Sequence, residues 1–276
     1  MWVDVDGGRL YVETAGAGAP ILMAHGWSLD HRLFEPQVEE LANAFQVVTF
    51  DRRGFGRSQA TPDLGLEVDD MQRILQALSL ESLHLLGMSQ GARIALRFSV
   101  THPRTIRSLL LQGPAIDGFA IDEPAAERIP IEQYAELARD GLMDEVRRRW
   151  HDHPMMALNG DSGRARELLD KMLSAYQGTD LLADAAKPTE SAVNVLGKIR
   201  SLRAPCLVLT GARETAARKA SAAQLLQLLP DCREIVFANS GHLSNLSEAA
   251  LYNREVADFC AKADAKWPGS GTGALD

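Results

Sequence analysis

The feature that most constrains this chain is the pattern Gly-Met-Ser-Gln-Gly at residues 87–91. The apolar run at 83–86 is typical of a buried strand, and residues 92–98 have helical spacing. A strand that turns directly into a helix needs small residues on both sides of a strained turning residue. A serine at that point presents its hydroxyl at the carboxyl end of the strand. Taken alone, the pattern is also typical of an ordinary glycine-rich turn.

Apolar strands and helical segments alternate through the first part of the chain. The first 15 residues predict two strands that are joined at Asp6-Gly7-Gly8, a hairpin signal. The alternation of strands with helices indicates an α/β protein, in which a parallel sheet is covered by helices on both faces. In chain order, the further predicted elements are strand 20–25, helix 34–42, strand 45–50, helix 67–78, strand 83–86, a helix that ends near residue 102, and strand 106–111.

The alternation stops between about residues 117 and 196 and then resumes. Helices are predicted in the interruption at 131–150, 164–176 and 189–199. Because the sheet pattern continues beyond it, we interpret residues 117–197 as a helical cap inserted into a core formed by residues 1–116 and 198–264. The resumed pattern predicts strand 205–210, helix 220–229, strand 233–237 and helix 247–262, and residues 265–276 have the composition of a flexible tail.

Composition and charge exclude several classes of protein. The net charge of -8 argues against a nucleic-acid partner, which requires a basic surface. No apolar run approaches the roughly 20 residues that span a bilayer, so we expect no membrane partner. The first residues lack the pattern of a signal peptide, and three scattered cysteines do not suggest a disulfide framework. We therefore expect a cytoplasmic protein.

A serine nucleophile needs a base and a carboxylate that orients the base. His242 follows the last predicted strand, at the same edge of the sheet as Ser89. Glu214 follows the strand at 205–210 and is the first candidate for the acid. Asp117 lies five residues beyond the end of the strand at 106–111 and is the alternative candidate. We therefore predict a Ser89–His242–Glu214 triad, with Asp117 as the other possible acid.

Acyl transfer also needs hydrogen-bond donors for the developing oxyanion. The amide of Gln90, at the start of the helix after Ser89, is one candidate. The amide of Trp27 is the other, because Gly26 allows the backbone to turn toward the serine. The cluster at residues 151–153 contains two histidines but no third ligand at a recognisable spacing, so we predict no metal site.

Five segments together resemble the α/β-hydrolase superfamily in their order and spacing, and the resemblance covers about residues 5 to 262. The resemblance implies an α/β-hydrolase fold with a mostly parallel eight-stranded sheet, Ser89 as nucleophile, His242 as base, Trp27 and Gln90 as oxyanion donors, and no cofactor. The chain looks most similar to small cytosolic carboxylesterases and 3-oxoadipate enol-lactonases with a helical cap. The segments are His25-Gly26-Trp27, Asp51–Ser58, Gly87–Gly91, Gly211–Glu214 and Ser240-Gly241-His242.

The acid position departs from the pattern of this family. Glu214 stands where the family usually has aspartate, and the proline often found shortly afterwards is absent from residues 215–218. The extra methylene of glutamate requires its loop to retreat by about 1.5 Å. Other branches place the acid directly after the strand that precedes the cap, where this chain has the neutral Gln112. Asp117 therefore remains the alternative acid.

A serine nucleophile favours hydrolysis of a small-molecule ester or lactone through an acyl-enzyme. It disfavours similarity in mechanism to the haloalkane dehalogenase and epoxide hydrolase branches of the family, in which the nucleophile is a carboxylate. Carbon–carbon hydrolases of ring-cleavage pathways are the alternative within the family, and a non-hydrolytic small-molecule receptor is the alternative from another class. We expect a monomer or a homodimer.

The predicted cap contains two features that bear on specificity. The basic run Arg147-Arg148-Arg149 either attracts an acidic substrate or forms a solvated helix face. A set of flexible and aromatic side chains either lines an adaptable apolar pocket or forms the core of the cap. The members of that set are Met143, Met155, Met156, Leu158, Met172 and Tyr176.

Overall fold

One sheet of eight strands, in the order β1-β2-β4-β3-β5-β6-β7-β8, organises the molecule. The computed structural model describes residues 1–119, 121–159, 163–183 and 195–267. The β1–β2 and β2–β4 pairs are antiparallel, and all other neighbours are parallel. The predicted mostly parallel eight-stranded sheet is thereby confirmed. The strands are β1 (Trp2–Val5), β2 (Gly8–Ala15), β3 (Ala19–Ala24), β4 (Phe45–Phe50), β5 (Leu83–Met88), β6 (Ile106–Gln112), β7 (Cys206–Gly211) and β8 (Cys232–Phe237).

Helices connect the strands and cover the sheet. Short 3₁₀ turns adjoin several of them, as at His31–Phe34 and Ile199–Ser201. The α-helices are α1 (Glu35–Leu41), α2 (Glu67–Ala77), α3 (Gln90–Thr101), α4 (Ile131–Arg139), α5 (Met143–His151), α6 (Gly163–Ala175), α7 (Thr179–Leu182), α8 (Val195–Lys198), α9 (Ala216–Leu228), α10 (Ser244–Ser247) and α11 (Ala249–Asp264). None of the helices in the described ranges combines the length and the apolar character needed to cross a bilayer.

The central strands are apolar on both faces because each face is packed against helices. In β3, Ile21 and Met23 belong to the hydrophobic cluster that includes residues of α1 and α11. Leu22 and Ala24 belong to the opposite cluster, which includes residues of α2, α3 and α9. Alternate side chains of one strand therefore enter two separate cores, as the period of a strand requires.

The segment between β6 and β7 contains α4 to α8, which we call the cap helices. The prediction of one helix over 131–150 is wrong, because α4 ends at Arg139 and α5 begins at Met143. Gly141 separates them with a φ of +77°, a backbone conformation that favours glycine. The start of the predicted helix 189–199 lies outside the described residues, as does most of the predicted tail. The cap boundaries 117–197 stay a prediction.

Two further helix boundaries differ from the sequence prediction. Helix α9 begins at Ala216, four residues before the predicted start at 220. The predicted helix 247–262 is instead the short α10 followed by α11, with Glu248 between them outside the α region at φ −130°. Alanine-rich stretches such as 216–223 carry little hydrophobic periodicity, so the sequence pattern marks their ends poorly.

The β5–α3 turn brings the start of α3 into backbone contact with the end of β3. A Cβ on Gly91 would collide with the carbonyl oxygen of Ala24 and lie 2.6 Å from that of His25. A Cβ on Gly87 would collide with the carbonyl of Gly91 itself. The two glycines therefore allow a helix to begin directly against the sheet.

We expect Gly91→Ala to lower the free energy of unfolding by about 2 kcal/mol or more, because backbone atoms must move apart to admit the methyl group. Gly163→Ala is the matched control, since no atom of the described residues lies within 4 Å of a Cβ built there. Urea unfolding of the wild type and both variants measures the difference. Equal stability of the two variants would contradict the packing described.

Candidate active site

Ser89 occupies the turn between β5 and α3 in a strained conformation. Its φ of 83° and ψ of -105° lie outside the regions that a side-chain-bearing residue normally adopts, at a cost of roughly 1–3 kcal/mol. The amide of Ser89 donates to the carbonyl of Gln112 at the end of β6, at 2.9 Å. The serine is therefore fixed at the carboxyl edge of the sheet, where the sequence predicted it.

His242 lies in the loop between β8 and α10 and is buried. Its Nε2 is 2.9 Å from Ser89 Oγ, and its Nδ1 is 2.6 Å from Glu214 Oε2. The side chain of Gln112 donates to the His242 carbonyl and to Asn245 Oδ1, each at 2.9 Å. The three residues predicted as a triad thus form one continuous hydrogen-bonded chain.

Glu214 is the carboxylate that contacts the imidazole. Its second oxygen, Oε1, accepts the amide of Thr215 at 2.8 Å. Burial opposes ionisation of this carboxyl, but the charge and hydrogen bond of His242, the Thr215 amide and the charge of Arg218 together lower its pKa. Glu214 is therefore ionised at neutral pH, as a group that orients a histidine must be.

Asp117, the alternative acid, has different partners. Arg93 Nε lies 2.5 Å from its Oδ1, and Arg97 Nε lies 2.6 Å from its Oδ2. Burial raises the pKa of Asp117, but the two guanidinium groups outweigh it and hold the pKa below its usual value. Both carboxylate oxygens are thus committed to α3, and the geometry favours Glu214 as the partner of His242.

Gly113 provides the space in which the imidazole and the carboxylate meet. It follows β6 with a φ of +49°. A Cβ at this position would lie 2.6 Å from the His242 ring and 2.9 Å from Glu214 Oε2. Gly113 was not predicted to belong to the site, because a single glycine after a strand carries no distinguishing signal.

The two predicted oxyanion donors lie beside Ser89. Gln90 is the first residue of α3, so its amide N–H has no acceptor within the helix. Gly26 brings the other segment close, because a Cβ there would lie 2.6 Å from Met88 Sδ and 3.4 Å from Ser89 Cβ. The amide that follows, that of Trp27, belongs to the same tight turn.

Arg52 links both of these segments from within the protein. Its guanidinium is fully buried and donates to both oxygens of Glu67 at 2.7 Å. It also donates to Gln90 Oε1 at 2.8 Å and to the His25 carbonyl at 3.2 Å. Residues 51–58 form one of the five segments that carry the family resemblance, but nothing in that pattern predicts this role for Arg52.

The indole of Trp27 joins the Gly26-Trp27 turn to the cap helices. Its Nε1 donates to Asp180 Oδ2 at 2.6 Å, and Tyr176 donates its hydroxyl to Asp180 Oδ1 at 2.7 Å. Burial raises the pKa of Asp180 even though both hydrogen bonds oppose the rise. Trp150 packs edge-on against Trp27 with ring centroids 4.8 Å apart and donates to Ser28 Oγ at 2.6 Å.

A cavity of about 310 Å³ opens beside Ser89. The six flexible and aromatic residues of the cap segment lie in or against the hydrophobic core shared by the cap helices and the sheet, so of their two interpretations the structure supports the second. The apolar lining of the cavity comes largely from the loop after β4 and from other cap segments. The apolar lining side chains are Trp27, Phe55, Pro62, Leu64, Ala115, Ile129, Ile131 and Leu181.

The basic run of α5 forms a solvated helix face. Arg147 pairs with Asp144 at 2.7 Å, and Arg148 and Arg149 both pair with Glu145, at 2.8 and 2.6 Å. These are pairs between residues one turn apart on an exposed surface. Of the two interpretations of the run, the structure supports the solvated face.

One group of three possible metal ligands occurs in the described ranges, namely Asp30, His31 and Asp51. Asp51 Oδ1 accepts from both the amide and Nδ1 of His31, and its Oδ2 accepts from the Arg57 amide. Asp30 forms two hydrogen bonds with the Arg32 side chain. Because these ligand atoms already have hydrogen-bonding partners, we interpret the three residues as a hydrogen-bonded cluster that stabilises the loop after β4.

The comparisons with known proteins agree with this architecture. The family model for the alpha/beta hydrolase fold matches residues 19–249, and the chain belongs to that family. Among solved structures, a thermophilic esterase from Thermogutta terrifontis has a TM-score of 0.76 at 23% identity over 95% of this chain and 98% of the other. The enol-lactonase from Burkholderia xenovorans has a TM-score of 0.75 at 20% identity, over 95% and 100%. At these identities the likeness shows the fold.

Relatives of several activities are similar to the chain over most of its length. It is 27% identical to the AB hydrolase superfamily protein YisY of Bacillus subtilis, over 91% of this chain and 94% of the relative. It is 26% identical to a 2-hydroxy-6-oxononadienedioate/2-hydroxy-6-oxononatrienedioate hydrolase of Pseudomonas putida, over 91% of each. It is 28% identical to the pimeloyl-acyl-carrier-protein methyl ester esterase of Chromobacterium violaceum, over 91% and 97%.

His25, directly before the Gly26-Trp27 turn, makes the free energy of unfolding depend on pH. Its Nε2 accepts the Arg52 amide at 3.0 Å, so the proton of the neutral ring is assigned to Nδ1, 2.7 Å from the Gly26 carbonyl. Burial, followed by the charge of Arg52, lowers the pKa of His25 from 6.5 to about 4. Between these values the unfolded chain binds the extra proton, and the free energy of unfolding falls as the pH falls.

We expect the wild type to lose about 2 kcal/mol more stability between pH 7 and pH 4.5 than His25→Gln does. Glutamine keeps an acceptor for the Arg52 amide but does not titrate. Urea unfolding of both proteins at the two pH values measures the difference. The remaining titratable groups are the same in the two proteins and contribute equally to both losses. An identical loss in the two proteins would contradict the assignment.

Proposed function

We propose that the protein is a serine hydrolase that cleaves a carboxylic ester or lactone of a small molecule through an acyl-enzyme. The observation that carries the proposal is the hydrogen-bonded chain Ser89–His242–Glu214, with its strained serine at the edge of a cavity. Nucleophile, base and orienting acid are the arrangement that activates a hydroxyl.

In this mechanism, Ser89 Oγ attacks the substrate carbonyl while His242 Nε2 takes the serine proton. Glu214 accepts the Nδ1–H of His242 and stabilises the imidazolium that forms. The amides of Trp27 and Gln90 stabilise the oxyanion of the tetrahedral intermediate. His242 then gives its proton to the leaving alcohol, which a lactone retains as part of the acyl group.

Water completes the cycle. His242 removes a proton from a water molecule that attacks the acyl-enzyme carbonyl, and the second tetrahedral intermediate collapses to release the acid and Ser89. The cavity beside Ser89 is near the lower end of the range for small-molecule sites, which suits a short substrate. Its apolar lining suits the carbon chain of such a molecule.

Carbon–carbon bond hydrolysis is the second candidate, because several relatives at 25–27% identity bear the names of such enzymes. Their similarity extends over more than 90% of this chain. A screen of short-chain esters, lactones and vinylogous diketones with the purified protein separates the candidates. Turnover of the diketones alone would favour the second candidate over the first.

A fluorophosphonate probe tests the nucleophile directly. We expect covalent labelling of the wild type, detected by intact-protein mass, and no labelling of Ser89→Ala. Ser79→Ala is the control, since Ser79 also has a positive φ, of 53°, but lies on the surface. Failure to label, together with no turnover of p-nitrophenyl acetate, would favour a non-hydrolytic receptor on this fold.

The choice of acid is tested by two substitutions that each remove one negative charge. We expect Glu214→Gln to lower kcat for p-nitrophenyl acetate by at least about 100-fold, because the imidazole loses the group that orients it. Asp117→Asn should stay within about threefold of the wild type, because its partners are Arg93 and Arg97. Steady-state kinetics measures both, and the reverse order would show that Asp117 is the acid.

A further inference from the structure

Three arginines line the cavity beside Ser89, and they differ in their partners. Arg53 pairs with both oxygens of Asp70, at 2.7 and 2.6 Å. Arg93 pairs with Asp117 at 2.5 Å. Arg218, in the first turn of α9, makes neither an ion pair nor a hydrogen bond with the part of the chain that the structure describes; it interacts with Glu214 and Glu123 only through longer-range charge.

The acidic residues of the cavity do not neutralise Arg218. Glu67 is held by the buried Arg52, and Asp180 accepts hydrogen bonds from Trp27 and Tyr176. Asp63 accepts the Gly65 amide, and Glu132 is exposed. Two further carboxylates act on Arg218 through their charge: Glu214 uses its two oxygens for His242 and the Thr215 amide, and Glu123 forms no ion pair with Arg218 in the described part of the chain.

The guanidinium of Arg218 therefore lacks an ion-pair partner within the described part of the chain. Arg218 is half-buried, and burial lowers its pKa despite the opposing charge of Glu214. A charge withdrawn from water without a partner costs free energy. A ligand carboxylate relieves that cost, because the planar guanidinium can donate two parallel hydrogen bonds to it.

We propose that Arg218 binds a free carboxylate of the substrate, so that the preferred substrates are esters or lactones that carry a second, ionised carboxyl group. The proposal rests on the hydrolase function proposed above. Ser89 acts on the ester carbonyl, the apolar lining contacts the linking carbons, and Arg218 receives the anionic end. Arg93, also on the cavity wall and 29% exposed, adds positive charge nearby.

A second role for Arg218 must be separated from this one. Its charge contributes to the lowered pKa of Glu214, so the arginine could act through the triad instead of through the substrate. A role through Glu214 affects charged and neutral substrates alike and shifts the pH profile of kcat. A role in carboxylate binding affects only the charged substrate, mainly through KM.

The test compares two esters of similar length, p-nitrophenyl hydrogen glutarate and p-nitrophenyl valerate. We expect the wild type to have a kcat/KM at least about tenfold higher for the glutarate ester, equivalent to one hydrogen-bonded charge pair. Arg218→Gln should remove this preference by raising KM for the glutarate ester, and it should leave kcat/KM for the valerate ester within about threefold of the wild type. Arg218→Lys should keep part of the preference. Arg149→Gln, which removes an arginine from the exposed face of α5, should leave kcat/KM unchanged for both esters.

An equal loss on both esters with a shifted pH profile would overturn the proposal, as would the absence of a preference in the wild type. If neither ester is cleaved and the fluorophosphonate does not label Ser89, the hydrolase function itself fails. Carboxylate binding is then judged by calorimetric titration of monomethyl glutarate into Ser89→Ala and Ser89→Ala/Arg218→Gln. A roughly tenfold weaker Kd in the double variant supports the role of Arg218, and equal Kd values overturn it.

Discussion

The direct passage of β5 into α3 fixes the position of Ser89, the point on which the other residues of the candidate site converge. The backbone at Ser89 adopts a positive φ, and Gly87 and Gly91 let the first turn of α3 rest against the end of β3. Strain of this kind persists only where surrounding packing enforces it. The same contact brings the Gly26 turn beside Ser89, so the nucleophile and the proposed oxyanion donors are positioned by one packing arrangement.

His242, the proposed base, is positioned by a separate, polar set of contacts. Gln112 at the end of β6 donates to the His242 carbonyl and to Asn245. Asn245 in turn exchanges hydrogen bonds with Gln37 of α1, which also donates to Asn253 of α11. Buried amides are stable in such a place only when they are paired, so this network fixes the loop that carries His242 relative to helices on one face of the sheet.

Much of the fold was predictable from sequence because buried parallel strands and their helices leave strong periodic patterns. Ser89, His242 and Glu214 were identified because each follows a predicted strand at the same edge, and parallel strands bring those positions together. The sequence could not choose securely between Glu214 and Asp117. That choice depends on where Arg93 and Arg97 point from α3, a matter of side-chain packing.

The cavity lining was the least predictable part. Methionines in the cap suggested a pocket, but residues such as Met155 and Met172 are almost completely buried in the core. Much of the lining comes instead from the loop that contains Phe55 and Leu64, whose sequence has no periodic signal, and Leu181 of α7 contributes from the cap segment. Arg218 was similarly hidden, because nothing in an alanine-rich helix start shows that one side chain faces a cavity.

The hydrogen bond from Trp27 to Asp180 couples the position of α7 to that of the Gly26-Trp27 turn. Asp180 belongs to α7, whose Leu181 lines the same cavity, and Trp27 follows the glycine that touches Ser89. Coupling between two equilibria is reciprocal. A ligand that holds α7 in place through Leu181 therefore also reduces the free energy needed to hold the Gly26-Trp27 turn in place, so occupancy of the cavity and order at the proposed oxyanion donors increase together.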